Sequence, residues 1–421
     1  MRIVFPYPQM KSLEVPERNL LGVFSPSTIT LEKSDNQIIA DALAHPIGTS
    51  PLPERVKGHG DVLIVVDDNT RLTPTHRILP HVIRALKAGG VQKNHIRVMV
   101  ALGTHRPMTK GEMAKKYGAE HLRAFPFLLH DYRDKTSLIH LGETETGVPV
   151  YVNRVVREVD FILGIGQIVP HRVPGFTGGG NIIQPGICGE ETTGRTHWLS
   201  AQFPGKEILG RIENPVKQEI ERVAVKAGLA WIVNAVMDGT GHLSGVVAGD
   251  PLLAYRAGAI QSERVYRAEL PGEADIVIAD SSPNDAELWQ AAKGLYAADL
   301  VVRQGGVVIL VTPCPEGISL SHPEILEFGY QTYEEVASEV QQGKIAKLTV
   351  AAHLVHVGEV IKKKASGILV CPGISKEETE KLGFTYVREP QEALDIAFSL
   401  LSRDATIAVL QRGGEILPVI K

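Results

Sequence analysis

Three histidines in this chain have surroundings that suit proton or metal chemistry. His105 stands in ALGTHRP, His171 in VPHRVPGF and His197 at the end of TTGRTH. The first two follow apolar runs that read as buried strands, which places both at strand ends. One such histidine is more often structural than catalytic. Two of them could face each other across one pocket, each able to carry a proton near neutral pH. His197 is a candidate metal ligand, with helix capping or stacking beside Trp198 as the alternative.

Candidate anion-binding residues surround them. In VVDDNTRLTP, Asp68, Thr70 and Arg71 lie between a strand and a helix start. Free N–H groups there attract an anion, and Thr75 is placed to cap the helix. Gly178, Gly179 and Gly180, followed by Asn181, leave backbone N–H groups open to a phosphate. Ordinary turn geometry explains the same glycines equally well. In ELWQAAKGLYAA, Gln290 and Lys293 share one face of an otherwise apolar helix. They could hold a carboxylate or form a solvated edge. Gly164 and Gly166 are followed by Val169, so the G-x-G-x-x-G fingerprint of a Rossmann NAD site is not supported.

Strands and helices must position these groups, and the pattern supplies them in alternation. Residues 1–33 read as a Pro-rich, β-rich start. Ser34 caps a helix through Ala44. Val62–Val66 is a strand, Thr75–Ala88 a helix, His95–Leu102 a strand and Met108–Ala124 a helix. Val150–Val156 is extended, and Phe161–Val169 is the central strand. Asn214–Gly228 is a helix, Ala230–Val236 a strand and Pro251–Glu269 a long helix. Beyond Pro271, strands at Ile276–Ala279, Val307–Val311, Ile368–Cys371 and Thr406–Leu410 alternate with helices at Asp285–Arg303 and Gln391–Leu401. The expected fold class is α/β, with two domains, 1–270 and 271–421, each built on a largely parallel sheet.

Composition excludes several classes. The 421 residues are 43% hydrophobic and 22% charged, as in a globular protein. A net charge of -4 gives no basic footprint for nucleic acid. No apolar run reaches the length of a membrane span. Cys188, Cys314 and Cys371 are far apart, which suggests a reducing compartment. MRIVFPYPQM has no signal-peptide core, so a cytoplasmic location is expected.

In order along the chain, D-x-T-R-x-T-P, G-T-H-R-P, V-P-H-R-V-x-G-F-x-G-G-G with its distal histidine, and Q-x-x-K resemble the lactate racemase family. These are racemases and epimerases of 2-hydroxyacids that use a nickel-pincer nucleotide. By motif the resemblance covers about residues 60–300. It implies an active site in a cleft between a cofactor-binding first domain and a second domain that contacts substrate. It implies that His105 and His171 are the acid–base pair, that His197 ligates nickel, and that Arg71, Gln290 and Lys293 bind substrate. It further implies that the loop with Asp68 and Thr70 and the segment Gly178, Gly179, Gly180 and Asn181 hold the cofactor. The reaction would pass a hydride reversibly between C2 and the cofactor. The implied partners are a small 2-hydroxyacid and the host enzymes that make the cofactor.

One position departs from that pattern. The family's lactate racemase carries a lysine after the glycine triplet and ties the cofactor to it as a thioamide. Here Asn181 stands there, and an amide is not a useful nucleophile. The resemblance therefore implies a cofactor held without a covalent tether. Asn181 also supports an alternative, a non-catalytic binder or carrier of the nucleotide. A zinc hydrolase would want a ligand set such as H-E-x-x-H, which is missing.

Overall fold

The structure, a computed structural model, describes residues 1–29 and 31–421. The strands that matter for the site form two sheets of six. In chain order they are β1 (Leu20–Phe24), β2 (Val62–Asp67), β3 (Ile96–Ala101), β4 (Phe127–Leu129), β5 (Phe161–Gln167), β6 (Leu229–Met237), β7 (Leu243–Gly249), β8 (Ala274–Asp280), β9 (Val302–Val311), β10 (Ala365–Val370), β11 (Thr385–Val387) and β12 (Ile407–Leu410). The first sheet runs β7-β6-β5-β2-β3-β4 and the second β11-β10-β9-β8-β12-β1. Every pairing in the two sheets is parallel except β6 with β7.

The apolar runs explain the central strands. All six residues of β2 and all seven of β5 are buried, as both faces of a parallel sheet require. Ile64, Val66 and Leu163 face a core with Ile78, Leu79 and Val82 of the helix Thr75–Ala88. Leu63, Val65 and Ile162 join a second core that runs on into the other sheet through Val277, Val308 and Leu369. That continuous core sets the two sheets against one another and fixes the cleft between them.

Helix ends follow local chemistry. Ser34 caps Asp35–Ala44 in a reciprocal box with Gln37, as the sequence suggests. Asn214 caps Pro215–Ala227, which ends on left-handed Gly228. Three expectations need correction. Thr75 does not cap its helix: Pro74 precedes it, and the Thr75 hydroxyl is buried without a hydrogen-bond partner. Met108–Ala124 is two helices, Lys110–Tyr117 and Ala119–Ala124, because Gly118 takes φ +86° between them. Asp285–Arg303 is also broken, into Leu288–Ala291 and Lys293–Asp299, and β9 already starts at Val302.

The first domain also differs from the expected 1–270. β1 pairs in parallel with β12 and completes the second sheet. Ile3, Phe5, Tyr7, Leu13 and Val15 pack beneath that sheet against Ile276, Ile309 and Ile407. Residues 1–24 thus belong structurally with the second domain. The reason is edge protection: without β1, the fully buried strand β12 would present an unpaired edge.

A chain beginning at residue 25 is therefore expected to lose the second domain. Each buried side chain so removed contributes roughly 1.5–3 kcal/mol, and five approach the roughly 5–15 kcal/mol of a whole domain. Soluble yield and the thermal melting curve check this. A truncated chain that melts like the full one would show that β1 is dispensable.

Candidate active site

Polar groups gather at the carboxyl ends of the first sheet, where parallel strands leave a crevice. β2 delivers Asp67 and Asp68, β3 leads through Leu102 to His105, and β5 ends at Gln167 and leads to His171. From the other sheet, the two short helices after β8 deliver Gln290 and Lys293. Asp68, Thr70, Arg71, His105, His171, Gly178, Asn181, His197, Gln290 and Lys293 all line one cavity.

A hydrogen-bonded chain crosses it. His105 Nδ1–H donates to Asp68 Oδ2 at 2.7 Å. Gln290 Nε2–H donates to His105 Nε2 at 3.0 Å. Lys293 Nζ donates to Gln290 Oε1 and to Asn284 Oδ1, both at 2.7 Å. A carboxylate only accepts and an ammonium only donates, so the two ends fix every group between them. His105 is left with its proton on Nδ1 and a lone pair on Nε2. Burial raises Asp68, but the hydrogen-bonded His105 beside it, then Arg71 and Thr70, hold it well below the usual carboxylate range. Thr70 closes the turn by donating its N–H (3.0 Å) and hydroxyl (2.6 Å) to Asp68 Oδ1.

The other two histidines have different tautomers for local reasons. The Val173 N–H donates to His171 Nδ1 at 3.1 Å, so neutral His171 carries its proton on Nε2. Burial, then Lys293, Arg71, His197 and His105, push His171 well below its ordinary value. His197 Nδ1–H donates to the Thr193 carbonyl one helical turn back at 2.9 Å, which leaves a lone pair on Nε2. Burial pushes His197 down to about 4, with His105 acting the same way and the Thr193 bond opposing. A neutral imidazole oriented by its second nitrogen is the form that binds metal.

The Arg71 backbone is held by Lys116, which donates to its carbonyl at 2.6 Å and pairs with buried Asp67 at 3.2 Å. The Arg71 side chain bonds only the Thr70 carbonyl (3.2 Å) and hydroxyl (3.0 Å) among the described residues. Burial and then Arg71 push Lys293 well below its ordinary value. Its charge is costly in the empty cavity, and an anion there would offset that cost.

The glycine-rich segment departs from expectation. Only Gly178 of the triplet lines the cavity. Gly179 and Gly180 lie behind the wall, where a Cβ would stand 3.0 Å from Tyr255 and 3.0 Å from Ala224 respectively. The Gly179 N–H is already given to Asn234 Oδ1 at 2.8 Å. Close packing against the helices behind it, and not a row of free N–H groups, accounts for these glycines. Asp68 accepts from Thr70 on Oδ1 and from His105 on Oδ2, so it orients a histidine.

His353, a cation the sequence offers for a diacid, lines the cavity, and five further lining residues escaped the sequence reading: Gln167, Asn234, Trp289, Tyr296 and His356. Two of them had a signal. Gln167 and Asn234 are the polar residues inside otherwise apolar strands, and such a residue is buried for a reason. Gln167 accepts the Leu72 N–H at 2.8 Å and reaches Glu415 of the second domain at 3.3 Å. The far wall is Trp289, stacked between His322 and His353 with centroids 4.1 Å from each. Its histidines are neutral: burial, then His322 and His197, push His353 down to about 3. Tyr296 and Tyr330 hydroxyls bracket its nitrogens at 3.1 and 3.3 Å.

The donor set can be tested against a bound metal. Among the described residues no group of three or more His, Cys, Asp or Glu stands together to hold an ion. A metal at His197 would take its remaining ligands from a small molecule, which fits a nickel that arrives in an organic pincer. Among the described residues no helix is long and apolar enough to cross a membrane.

Residues 8–208 match the lactate racemase N-terminal domain and residues 271–417 the lactate racemase C-terminal domain. The chain is 29% identical over 312 residues to a lactate racemase of Lactiplantibacillus plantarum, covering 72% of each chain. It is 26% identical over 431 aligned positions to a lactate racemase of Thermoanaerobacterium thermosaccharolyticum, covering 99% of this chain and 98% of the other. The solved apoprotein of a lactate racemase from that organism superposes with a TM-score of 0.87 at 25% identity, over 99% and 100% of the two chains. A Thermotoga maritima protein superposes at 0.74, also at 25% identity, over 92% and 98%.

The buried imidazoles set an acid limit on stability. His130, His171, His197, His322, His353 and His356 are all held below their ordinary value, burial being the largest cause for each. Below about pH 6.5 the unfolded chain binds protons that the folded chain refuses, so stability rises with pH there. Each such proton is worth about 1.4 kcal/mol per pH unit. Asp280, pushed up to about 6 by burial, opposes with one proton. Calorimetry is expected to show the melting temperature falling steeply from pH 7 to 5.5. A flat profile would mean the imidazoles are charged inside the fold.

Proposed function

The chain belongs to the lactate racemase family and is an isomerase; from that premise we propose that it inverts C2 of a small 2-hydroxy monoacid such as lactate, with His105 and His171 as its acid–base pair and a nickel-pincer nucleotide as its cofactor. The observation that carries the reading is the chain Asp68–His105–Gln290–Lys293, which aims a basic imidazole and an ammonium into one cavity that a second imidazole also lines.

A C2 proton beside a carboxylate is too weakly acidic for an imidazole to remove. When bound, the nucleotide supplies a reversible hydride acceptor, held through its nickel by His197. The chain does the rest. Arg71 and Lys293 bind the carboxylate and orient C2. The substrate hydroxyl displaces the Gln290 amide from His105 Nε2, which takes the hydroxyl proton. Asp68 stabilises the imidazolium through Nδ1–H. His171 serves the opposite orientation. An anion beside Lys293 and Arg71 offsets the repulsion that keeps His171 neutral, so substrate binding raises its proton affinity. Protonation at Nδ1 also requires the ring to release the Val173 N–H.

The neutral far wall favours an uncharged C3 substituent. His353 is bonded to two tyrosines and stacked on Trp289, so it offers no positive charge to a second carboxylate. Arg77 pairs with Asp35 on the surface, and neither it nor His76 lines the cavity, so neither supplies a cation for a second carboxylate there. A carrier has no use for a paired acid–base site, which weighs against the non-catalytic alternative.

With nickel nucleotide supplied, chiral chromatography should show the chain converting either pure lactate enantiomer to the racemate, faster than malate. His105→Ala and His171→Ala should each cost roughly 10²–10⁴ in kcat in both directions. Near-normal turnover in one of them would remove its assigned role. Lys293→Ala should raise KM while nickel content holds.

Asn181 cannot form a thioamide, so the cofactor is held by contacts alone. Denaturing mass spectrometry of active protein should return the bare 45.7 kDa polypeptide. An adduct that survives denaturation would mean another residue supplies a tether.

A further inference from the structure

Behind the glycine-rich segment sits a lysine that the proposed reaction does not use. Lys217, in the helix Pro215–Ala227, is 1% exposed. Its Nζ donates to Gly178 O at 2.8 Å, to Asn181 Oδ1 at 2.8 Å and to Phe176 O at 3.4 Å. It also stands 3.5 Å from the centre of the Tyr255 ring. Three donors meet three acceptors, and an aromatic face covers the charge. The stem cannot drift. Asn214 accepts the Lys217 N–H at 2.9 Å and donates to Pro174 O and Arg211 O, both at 3.0 Å. Asn181 lines the cavity and Lys217 does not.

An asparagine amide has one accepting end and one donating end. The ammonium can bond only the oxygen, so the Asn181 Nδ2 group is turned away from Lys217. One of its protons points to Gln184 O at 3.4 Å, and the other has no partner among the described residues. We propose that Lys217 is a positioning residue: it locks Asn181 so that an amide N–H, and not an oxygen, faces the bound ligand. The acceptor it suits is an anionic oxygen or sulfur. This rests on the reading that an anion-bearing nucleotide occupies the cavity. Lys217 itself is no substitute tether, because it lies behind the wall with its protons committed. Burial pushes Lys217 down to about 7, against the pull of Glu221 one turn along the helix.

The contact is tested without any ligand by a double-mutant cycle on the full-length apoprotein. Asn181→Asp keeps the shape and sets a carboxylate against the Lys217 ammonium, so the denaturant midpoint should hold or rise. In the Lys217→Met background the same substitution leaves a half-buried carboxylate without its cation, and the midpoint should fall. Additive effects would overturn the proposal. If Lys217→Met does not fold, the pH dependence of Asn181→Asp decides. Relative to the parent chain, the variant should lose midpoint on acidification as the introduced carboxylate protonates; parallel profiles would overturn the contact.

A second readout follows the ligand. After loading with nickel nucleotide and dialysis, Asn181→Asp should retain at least tenfold less nickel per chain than the parent, with its fold intact, because an acceptor has replaced a donor. Equal retention would overturn the donor assignment. A parent chain that takes up no nickel nucleotide would sink the cofactor reading instead, and the unfolding cycle would still decide whether Lys217 holds Asn181.

Discussion

The hydrogen bond between Gln290 and His105 is the constraint on which the site depends. It is a neutral contact at 3.0 Å between the two domains, and on its own it is worth only about 1 kcal/mol. Its importance is directional. Asp68 and Lys293 anchor the ends of the chain, and with those ends set, the amide and the imidazole each have one arrangement. The same contact that orients the base also measures the closure of the cleft. If the domains part, His105 keeps Asp68 but loses the partner that marks its Nε2 as the accepting atom.

Other contacts hold the domains at that distance. Arg106, the residue after His105, makes a two-pronged bond to Glu316 of the second domain at 3.0 and 2.7 Å. It is steadied by Glu112 from its own domain at 2.8 Å. Such bidentate charged pairs are roughly twice as strong as neutral bonds and fix geometry as well. On the opposite side, Gln167 reaches Glu415, and Arg412 pairs with the same carboxylate at 2.6 Å. The loop bearing Arg71 is tied to Gln167 through Leu72, so Arg71 is referenced to the second domain as well.

Much of this was legible in the sequence, and the misses have a common cause. Strands such as Val62–Asp67 and Phe161–Gln167 announce themselves by unbroken apolar runs, and His105 and His171 follow from them as strand-end residues. Ser34 is readable as a cap because capping is decided within three residues. What failed was whatever depends on residues far away in sequence. β1 finds its partner nearly four hundred residues on, at β12. The glycine triplet looks like a phosphate loop until Tyr255 and Ala224 are packed against it. His353, Tyr296 and Trp289 carry no local mark of a shared wall, since only the folding of the second domain stacks them.

The cavity is also a place where stability has been given up. His171 and Lys293 are buried near other positive groups, and neither has a carboxylate in contact among the described residues. An interior of this kind would be better packed with apolar residues if folding were the only demand. On the proposed function, an anionic substrate would relieve that repulsion by its own charge, so its binding would favour closure of the two domains around it, with Gln290 giving up His105 to the substrate hydroxyl. The carboxylate is thus more than a handle. It makes charging Lys293 less costly, raises the proton affinity of His171 and draws the two domains onto one ligand. A neutral alcohol of the same shape would do none of these things. On the proposed function, selectivity for hydroxyacids over simple alcohols would therefore follow from the electrostatics of the empty cleft, before any particular contact to the reacting carbon.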